Sequence, residues 1–345
     1  MSNDPILGYT LADTYKIKDL VGRESLGTVY RATDVESGSA VHVKVLDPGQ
    51  IDNQEIMGRF GREMLATAAV EHANTVRMLD FGSHHKLFQY IVLEAITAHT
   101  LTEELAAEKF LPFDRVAHIA AQIASALEAA HGEGIVHRNL GPDNVLLLDN
   151  VRGDYVKLRD FGLSRLVDAA AEVGDPDITD FGTRVGAVEY MAPEYIQSAT
   201  TAPGVDVYGL GMLMFHMLSG EAPFTGPPAK VMKAHVQEQP EAVTGVPAWM
   251  ADLMTKMVSK DPSKRPPAGA VLKILRSGMG ADLLPPEIDA SYVPPPKRLP
   301  KEVEPVAEEA DEEVEADTTL YVVAGLVAFV AIVAIVVLLG LIFAG

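Results

Sequence analysis

Short apolar runs separated by turn residues dominate the first part of the chain. Apolar and polar positions alternate over residues 15–20, 28–32 and 40–45, with Ser37-Gly38 before the last run. This period predicts three antiparallel strands with a hairpin turn at Ser37-Gly38. Residues 55–70 then show helical spacing, and residues 77–80 and 89–94 have the pattern of two further strands. We therefore predict a small lobe made of one sheet and one helix.

Helical spacing dominates beyond Leu101. Residues 113–131 place their apolar side chains on one helical face, and Gly132 follows as a stop signal. Residues 205–218 are apolar on every side but too short to cross a bilayer, which predicts a buried helix whose methionines pack a core. The second lobe is therefore expected to be mostly helical.

Acidic and proline-rich sequence follows residue 276. Residues 302–317 carry nine acidic and no basic residues, so of the formal net charge of −20 the rest of the chain holds −11. Such a segment predicts an extended spacer, because it has too little apolar surface to form a core. The acidic body argues against nucleic acid as a partner, since phosphate backbones would repel it. Cysteine is absent, which excludes disulfides and thiolate metal sites.

An uncharged segment of 25 residues covers 320–344 and is rich in Val, Ala, Leu and Ile. As a helix it would be about 37 Å long, which exceeds the roughly 30 Å hydrocarbon core of a bilayer. We predict a transmembrane helix; the alternative is an unusually long buried helix. Residues 1–19 lack a signal-peptide pattern, and Lys297, Arg298 and Lys301 precede the span. Both features favour a cell-membrane location with the N-terminal domain in the cytoplasm.

Six segments that carry chemistry follow one another in a recognisable order. They are LVGRESLGTV at 20–29, VHVK ending at Lys44, Glu63, HRNLGPDN at 137–144, DFG at 160–162 and MAPE at 191–194. A glycine-containing turn between strands, followed by a strand lysine, suits the binding of phosphates. Over residues 15–276 the chain resembles the bacterial eukaryotic-like (Hanks-type) serine/threonine protein kinases.

The resemblance implies an α+β, two-lobed protein kinase fold over residues 10–278, followed by a linker at 279–319 and the span at 320–344. It further implies that Asp206 holds the catalytic loop and that Glu194 pairs with Arg265. The implied cofactors are ATP and Mg²⁺, with Asn144 and Asp160 as metal ligands. The implied nucleotide-binding positions are Gly22, Glu24, Gly27, Val29, His42, Lys44, Glu63, Leu93 and Glu94.

Two departures from the family pattern affect the catalytic loop. The catalytic aspartate position is Asn139, and the catalytic lysine position is Gly141. An amide cannot accept a proton at physiological pH, and general-base catalysis contributes roughly 10²- to 10⁴-fold. The loss of a charge-stabilising group costs about 3 kcal/mol in other enzymes. Phosphoryl transfer is therefore expected to be absent or weak.

Three more departures lie around the nucleotide. Glu24 replaces the second loop glycine and brings a negative charge towards the phosphates, unless it turns outward or meets Lys44. His42 replaces the small residue that covers adenine, and Ala187 replaces a threonine that would bond to the catalytic pair. ATP binding is thus possible but opposed by these residues.

Three functional hypotheses follow. The first is a membrane-anchored pseudokinase that binds signalling proteins, including an active kinase that phosphorylates Thr179 or Thr183 in trans and phosphopeptide-binding domains; Arg138 could receive the phosphate. The second is an active serine/threonine kinase with a non-standard base, for which Asp143 is the nearest carboxylate in sequence. The third is an inert domain on a functional membrane anchor.

Overall fold

The computed structural model describes residues 4, 6–24, 26–46, 48–51, 53–84, 88–148, 154–161 and 188–279. Most of the predicted linker, the whole predicted span at 320–344, and Thr179, Thr183 and Ala187 lie outside these residues. All described residues belong to a single unit of the chain.

A six-stranded antiparallel sheet forms the first lobe, with strand order β1-β2-β3-β4-β6-β5. The predicted strands are present, several of them longer than expected, and a short strand precedes them. The hairpin turn predicted at Ser37-Gly38 is confirmed: the Asp34 carboxylate accepts the backbone N–H groups of Glu36 and Ser37, and Gly38 has a φ of +72°. The strands are Thr10–Leu11 (β1), Tyr15–Glu24 (β2), Gly27–Asp34 (β3), Ala40–Val45 (β4), Met78–His84 (β5) and Phe88–Glu94 (β6).

Side chains of β4 alternate between an apolar core on one face of the sheet and the opposite face. Val41, Val43 and Val45 are buried in one apolar cluster with residues of β2 and β3. His42 and Lys44 therefore point to the opposite face. The predicted helix runs from Gln54–Ala69 (α1), and its Phe60 packs with Leu46 and Ile91 in a second, smaller cluster. This arrangement places α1 beside the face that carries Lys44.

The second lobe is mainly helical, as predicted, and holds the largest apolar core. The helix predicted at 205–218 is buried almost throughout, and Met212, Met214 and Met217 are completely buried, which confirms their packing role. A three-stranded sheet, which the sequence pattern did not predict, lies at the edge of this lobe. Its strands are His99–Thr100 (β7), Val145–Leu148 (β8) and Tyr155–Leu158 (β9), and the helices are Leu101–Glu108 (α2), Phe113–Gly132 (α3), Pro193–Ser198 (α4), Pro203–Ser219 (α5), Pro228–Gln237 (α6), Ala248–Met257 (α7) and Ala268–Met279 (α8).

Within the described part of the chain, no helix is both long and apolar enough to cross a membrane.

Candidate active site

The catalytic loop is held in place by Asp206 from the first turn of α5. Its Oδ2 accepts the backbone N–H of His137 and its Oδ1 that of Arg138, both at 2.8 Å, and His131 Nε2 lies 2.8 Å from Oδ2. Arg138 has a φ of +65°, a conformation that costs energy in a residue other than glycine. The loop-holding role expected of Asp206 is thus confirmed, and it fixes where Asn139 is presented.

The two asparagines of the loop contact each other. Asn144 Nδ2 donates to the backbone carbonyl of Asn139 at 2.8 Å, which leaves Asn144 Oδ1 as the atom that could reach a cation. Asn139 itself is a neutral amide, so it can position a hydroxyl group but cannot take its proton.

Asp143, the nearest carboxylate in sequence to Asn139, is turned towards α2. Its Oδ1 accepts the hydroxyl of Thr102 at 2.6 Å, on the exposed side of the loop. This contact engages the carboxylate outside the cleft and opposes its use as a replacement base.

Gly141 lies at the position of the missing lysine. Its backbone is extended, and a Cβ atom added there would lie 3.6 Å from the ring of Tyr190, an ordinary van der Waals distance. The backbone would therefore accept a side chain, so the loss of the lysine is a chemical change and not a consequence of loop shape.

Lys44 is completely enclosed and pairs with two carboxylates. Its Nζ lies 2.5 Å from Glu63 Oε1 on α1 and 2.7 Å from Glu24 Oε2 at the end of β2, and its side chain is 1% exposed. The pair expected between Lys44 and Glu63 is present. Of the two positions considered for Glu24, the structure shows the one that meets Lys44.

The charges around Lys44 determine its protonation. Burial alone would lower the pKa of Lys44, but the carboxylates of Glu63, Glu24 and Asp160 raise it well above its usual value. The lysine is therefore an ammonium ion. Burial raises the pKa of Glu63 to about 7, against the attraction of Lys44. Single oxygens of Glu24, Glu63 and Asp160 lie within 4.8 Å of one another, so these carboxylates repel each other and compete for one lysine.

Arg159 is a site residue that the sequence analysis did not single out. It directly precedes Asp160; its Nη1 lies 3.5 Å from Glu24 Oε1 and its Nε 3.9 Å from Asp160 Oδ2. Its position next to a predicted metal ligand was the available signal. Glu24 thus contacts one cation from the first lobe and one from the second.

His42 lies on the cleft face of β4, opposite Leu93 of β6 in the strand register. Burial lowers the pKa of His42, and the nearby cations Arg31 and Arg159 lower it further. The ring is therefore neutral. It places a bulky polar group on the cleft face, at the position where the resemblance implies a small residue.

Glu94 does not present its carboxylate to the cleft. Its side chain is 1% exposed, pairs with Lys157 Nζ, and accepts the backbone N–H of Arg77 at 2.9 Å. Only the backbone of Glu94 could therefore contact a nucleotide base.

The remaining predicted positions lie on β2 and β3. Gly22 has open space beside it, and Val29 is buried. Gly27 has a φ of +149°, and a Cβ atom added there would overlap the carbonyl oxygen of Val45. Only glycine fits at position 27. That these residues hold a nucleotide stays a prediction.

The arrangement does not fit nucleotide phosphates as it stands. Asn144 and Asp160, the metal ligands that the resemblance implies, are present, but Glu24 pairs with Lys44, the residue to which the resemblance assigns the phosphates. The three clustered carboxylates do not form a free cation site either, since the Lys44 ammonium already contacts two of them.

Comparison with known proteins identifies related sequences. A family model described as protein kinase domain matches residues 15–274. The chain is 30% identical over 278 residues to serine/threonine-protein kinase pkn3 of Myxococcus xanthus, covering 78% of this chain and 50% of that protein. It is 32% identical over 287 residues to PknL of Mycobacterium tuberculosis, covering 82% of this chain and 68% of that protein. The chain thus spans about half the length of the Myxococcus relative.

Among solved structures, the kinase domain of PknI from Mycobacterium tuberculosis has a similar fold. The TM-score is 0.60 at 22% sequence identity, over 79% of this chain and 98% of that one. This likeness agrees with the two-lobed architecture described above.

Proposed function

Because the chain belongs to the protein kinase domain family and is related to bacterial serine/threonine kinases, we propose that it is a membrane-anchored kinase-like signalling protein. Its phosphoryl transfer is absent or weak, and it acts mainly by binding other proteins. Kinases of this family generally use ATP and Mg²⁺, but here the nucleotide site is obstructed by the chain's own residues.

One observation carries this proposal: the scaffold of the catalytic loop is kept while its reactive group is gone. Asp206 still bonds to the backbone of His137 and Arg138. The loop therefore presents Asn139 as a rigid element, and an amide cannot serve as general base. A domain that keeps its shape and loses its chemistry is suited to recognition.

The rival proposal is an active kinase with a different base. The contact from Thr102 to Asp143 at 2.6 Å argues against the nearest substitute. Lys44, which would grip the phosphates, is paired with Glu24 at 2.7 Å. Both observations favour the binding role.

A phosphate-transfer assay distinguishes the two proposals. The full chain is incubated with labelled ATP, Mg²⁺ and a generic protein substrate, and is compared with Lys44→Met, which removes the phosphate-binding amine. We expect equal, background labelling for both. Transfer by the unmodified chain clearly above Lys44→Met would overturn the binding role and favour the active kinase.

Candidate partners include an active kinase and phosphopeptide-binding domains. Arg138 supports a phosphate-dependent interaction, since its Nε is buried and makes no hydrogen bond within the described residues. A phosphate on Thr179 or Thr183 would supply the acceptor oxygens that a guanidinium binds well.

Membrane anchoring rests on the sequence of residues 320–344, whose 25 positions carry no charge. The basic residues Lys297, Arg298 and Lys301 favour a cytoplasmic domain. The acidic spacer would hold that domain away from the lipid surface by charge repulsion.

A further inference from the structure

The corner between α2 and α3 exposes two phenylalanines on the second lobe. Phe110 is 62% exposed, the largest fraction for any large apolar side chain among the described residues, and Phe113 is 41% exposed. Pro112 lies between them in sequence and is also exposed. Single exposed apolar side chains are common, but three within four positions are typical of an interaction surface.

This corner is held in a strained conformation. Lys109 has a φ of +61° and a ψ of −60°, and the N–H of Phe110 donates to the carbonyl of Glu108 at 2.8 Å, which forms a rare three-residue turn. The buried Leu111 fixes the corner to α5, because its N–H donates to the carbonyl of Met217 at 2.7 Å. The fold therefore maintains a costly turn directly beside its most exposed phenylalanine.

Acidic residues next to this corner have no cationic partner. Glu108 and Asp114 flank it in sequence, and Glu221 follows Gly220, where an added Cβ atom would lie 2.9 Å from the carbonyl oxygen of Lys109. All three carboxylates belong to exposed residues, and no described lysine, arginine or histidine lies within ion-pair distance of them. With Lys109 included, the formal charge is −2. The corner therefore suits a segment that combines apolar and basic residues.

The chain itself contains such a segment, beyond the described residues. Residues 292–301 have the sequence YVPPPKRLPK, in which Lys297, Arg298 and Lys301 are the only basic residues after Arg276. Proline-rich segments bind aromatic surfaces at a low entropic cost, because proline already restricts the free chain. The segment therefore matches both the aromatic side chains and the negative charge of the corner.

The end of α8 lies close enough for this segment to reach the corner. Helices α8 and α3 have the most extensive helix–helix contact in the described part of the chain, and Gly269 at the start of α8 lies against Glu128 near the end of α3. Such a contact requires antiparallel helices, because parallel ones in this register would overlap by only about one turn. Met279 is therefore level with about residue 118, roughly 8 Å along α3 from its first residue. When extended, residues 280–291 span up to about 40 Å.

We propose that residues 292–301 bind the α2–α3 corner of the same chain. The prolines of the segment lie against Phe110 and Phe113, and its basic side chains face the neighbouring carboxylates. Residues 302–319 then form the connection to residue 320. The contact requires neither a nucleotide nor phosphoryl transfer, so it goes beyond the proposed function and can be tested separately from it.

Cross-linking within the full chain, kept in a neutral detergent, is the direct test. The sequence has no cysteine, so Ser291→Cys with Ala107→Cys introduces one thiol beside the segment and one at an exposed position of α2. Ser291→Cys with Lys264→Cys is the matched control, because Lys264 is exposed and precedes α8. A short bismaleimide should link the first pair at least about fivefold faster, since binding raises the effective concentration of the two thiols.

Substitution of the aromatic side chains shows whether the corner holds the segment. Phe110→Ser with Phe113→Ser should lower the linking rate of the first cysteine pair to that of the control pair. Both side chains are exposed, so the core stays intact. Leu65→Ser, at a 49% exposed position of α1 in the other lobe, is the matched apolar control and should leave the rate unchanged.

Charge reversal tests the second half of the contact. Lys297→Glu with Arg298→Glu should slow linking of the first pair about threefold, because exposed ion pairs contribute modestly. Glu108→Lys with Glu221→Lys, added to that variant, should restore the rate. No recovery would remove these carboxylates from the contact.

The remaining outcomes assign the corner or the segment to another partner. Equal rates for the two cysteine pairs, or a rate that the phenylalanine variants leave unchanged, would overturn the proposal. Links between chains, seen when single-cysteine chains are mixed, would assign the corner to a second copy. Control-level linking, together with weaker binding of Lys297→Glu/Arg298→Glu to phosphatidylglycerol vesicles, would assign the basic residues to a lipid surface.

Discussion

At the scale of single residues, Asn139 and Gly141 remove reactive groups from a loop that Asp206 still holds. Asn139 stays in a loop tied to Asp206, and Gly141 has space for a side chain beside Tyr190. Because the loop is held by Asp206 and position 141 has room for a side chain, the missing groups can be put back one at a time. What they restore then depends on the rest of the cleft.

We predict that Asn139→Asp alone does not restore robust transfer to protein. The restored carboxylate can return at most the share of a general base, roughly 10²- to 10⁴-fold, while Gly141 still lacks the cation and Glu24 still covers Lys44. Labelled-phosphate transfer is the measurement, and Asn139→Asp with Lys44→Met is its background. Strong labelling of a generic substrate by the single variant would contradict the prediction.

Only some residues of the candidate site could be placed from the sequence. The resemblance to the kinase family was sufficient to place Lys44, Glu63 and Asp160 together. It could not decide the position of Glu24, because a side chain at a strand end has both an inward and an outward rotamer. Arg159 was missed because its role depends on Glu24, which lies 135 residues away in sequence.

At the scale of elements, an ion pair between Arg265 and Glu194, at the start of α4, connects several segments of the second lobe. The two contacts measure 2.6 Å and 2.8 Å, and Arg265 also donates to the carbonyls of Gly204 and Ser259. One guanidinium thus joins α4, the first turn of α5 and the segment after α7. The pairing expected from the sequence is confirmed.

Arg265→Ala should destabilise the fold by about 3–5 kcal/mol, because it leaves a carboxylate with its partner removed. Urea unfolding followed by circular dichroism gives the free energy of unfolding. Arg276→Ala, at an exposed position of α8, is the matched control and should change it by less than about 0.5 kcal/mol. The double variant Arg265→Ala/Glu194→Ala should be less destabilised than Arg265→Ala alone, and equal or greater loss would refute the charge argument.

We expect His235 of α6 to make the stability of the second lobe depend on pH. It is completely buried, and its Nδ1 lies 2.9 Å from the hydroxyl of Tyr208 on α5. Burial, with a smaller contribution from Lys260, lowers the pKa of His235 to about 4 from 6.5. The folded protein therefore keeps this ring neutral at a pH where the unfolded chain is already protonated.

The free energy of unfolding should be unaffected by His235 above pH 6.5 and should fall as the pH is lowered towards 4. The loss is up to about 3 kcal/mol, since each pKa unit corresponds to about 1.4 kcal/mol. Urea unfolding at several pH values should show a shallower slope for His235→Asn. An unchanged slope for His235→Asn would assign the effect elsewhere.

At the scale of the whole molecule, periodicity predicted most of the two-lobed architecture. The alternation of Val41, Val43 and Val45 and the apolar helix around Met212 and Met214 are signals of burial, and both segments are buried. The small sheet β7-β8-β9 was not predicted. Its strands have two to four residues, too few for alternation to be recognised, and their pairing depends on contacts between distant segments.

Residues 320–344 should anchor the whole molecule to a bilayer. The full chain is expected to remain with membranes after washing at alkaline pH, while residues 1–280 are expected in the soluble fraction. Val330→Arg with Val333→Arg should weaken the anchor, since each arginine at a helix centre costs about 2.5–3.5 kcal/mol on insertion scales. Equal membrane retention of the full and shortened chains would refute this prediction.

The enclosure of Lys44 has a consequence for chemical proteomics. Reagents that acylate lysines at nucleotide sites need an accessible, neutral amine, whereas Lys44 is 1% exposed and held as an ammonium ion by its carboxylate neighbours. Mass spectrometry of treated cells should find the peptide that contains Lys44 without the acyl tag, even where the protein is abundant. Surveys that count kinases by such tags would then score this chain as missing.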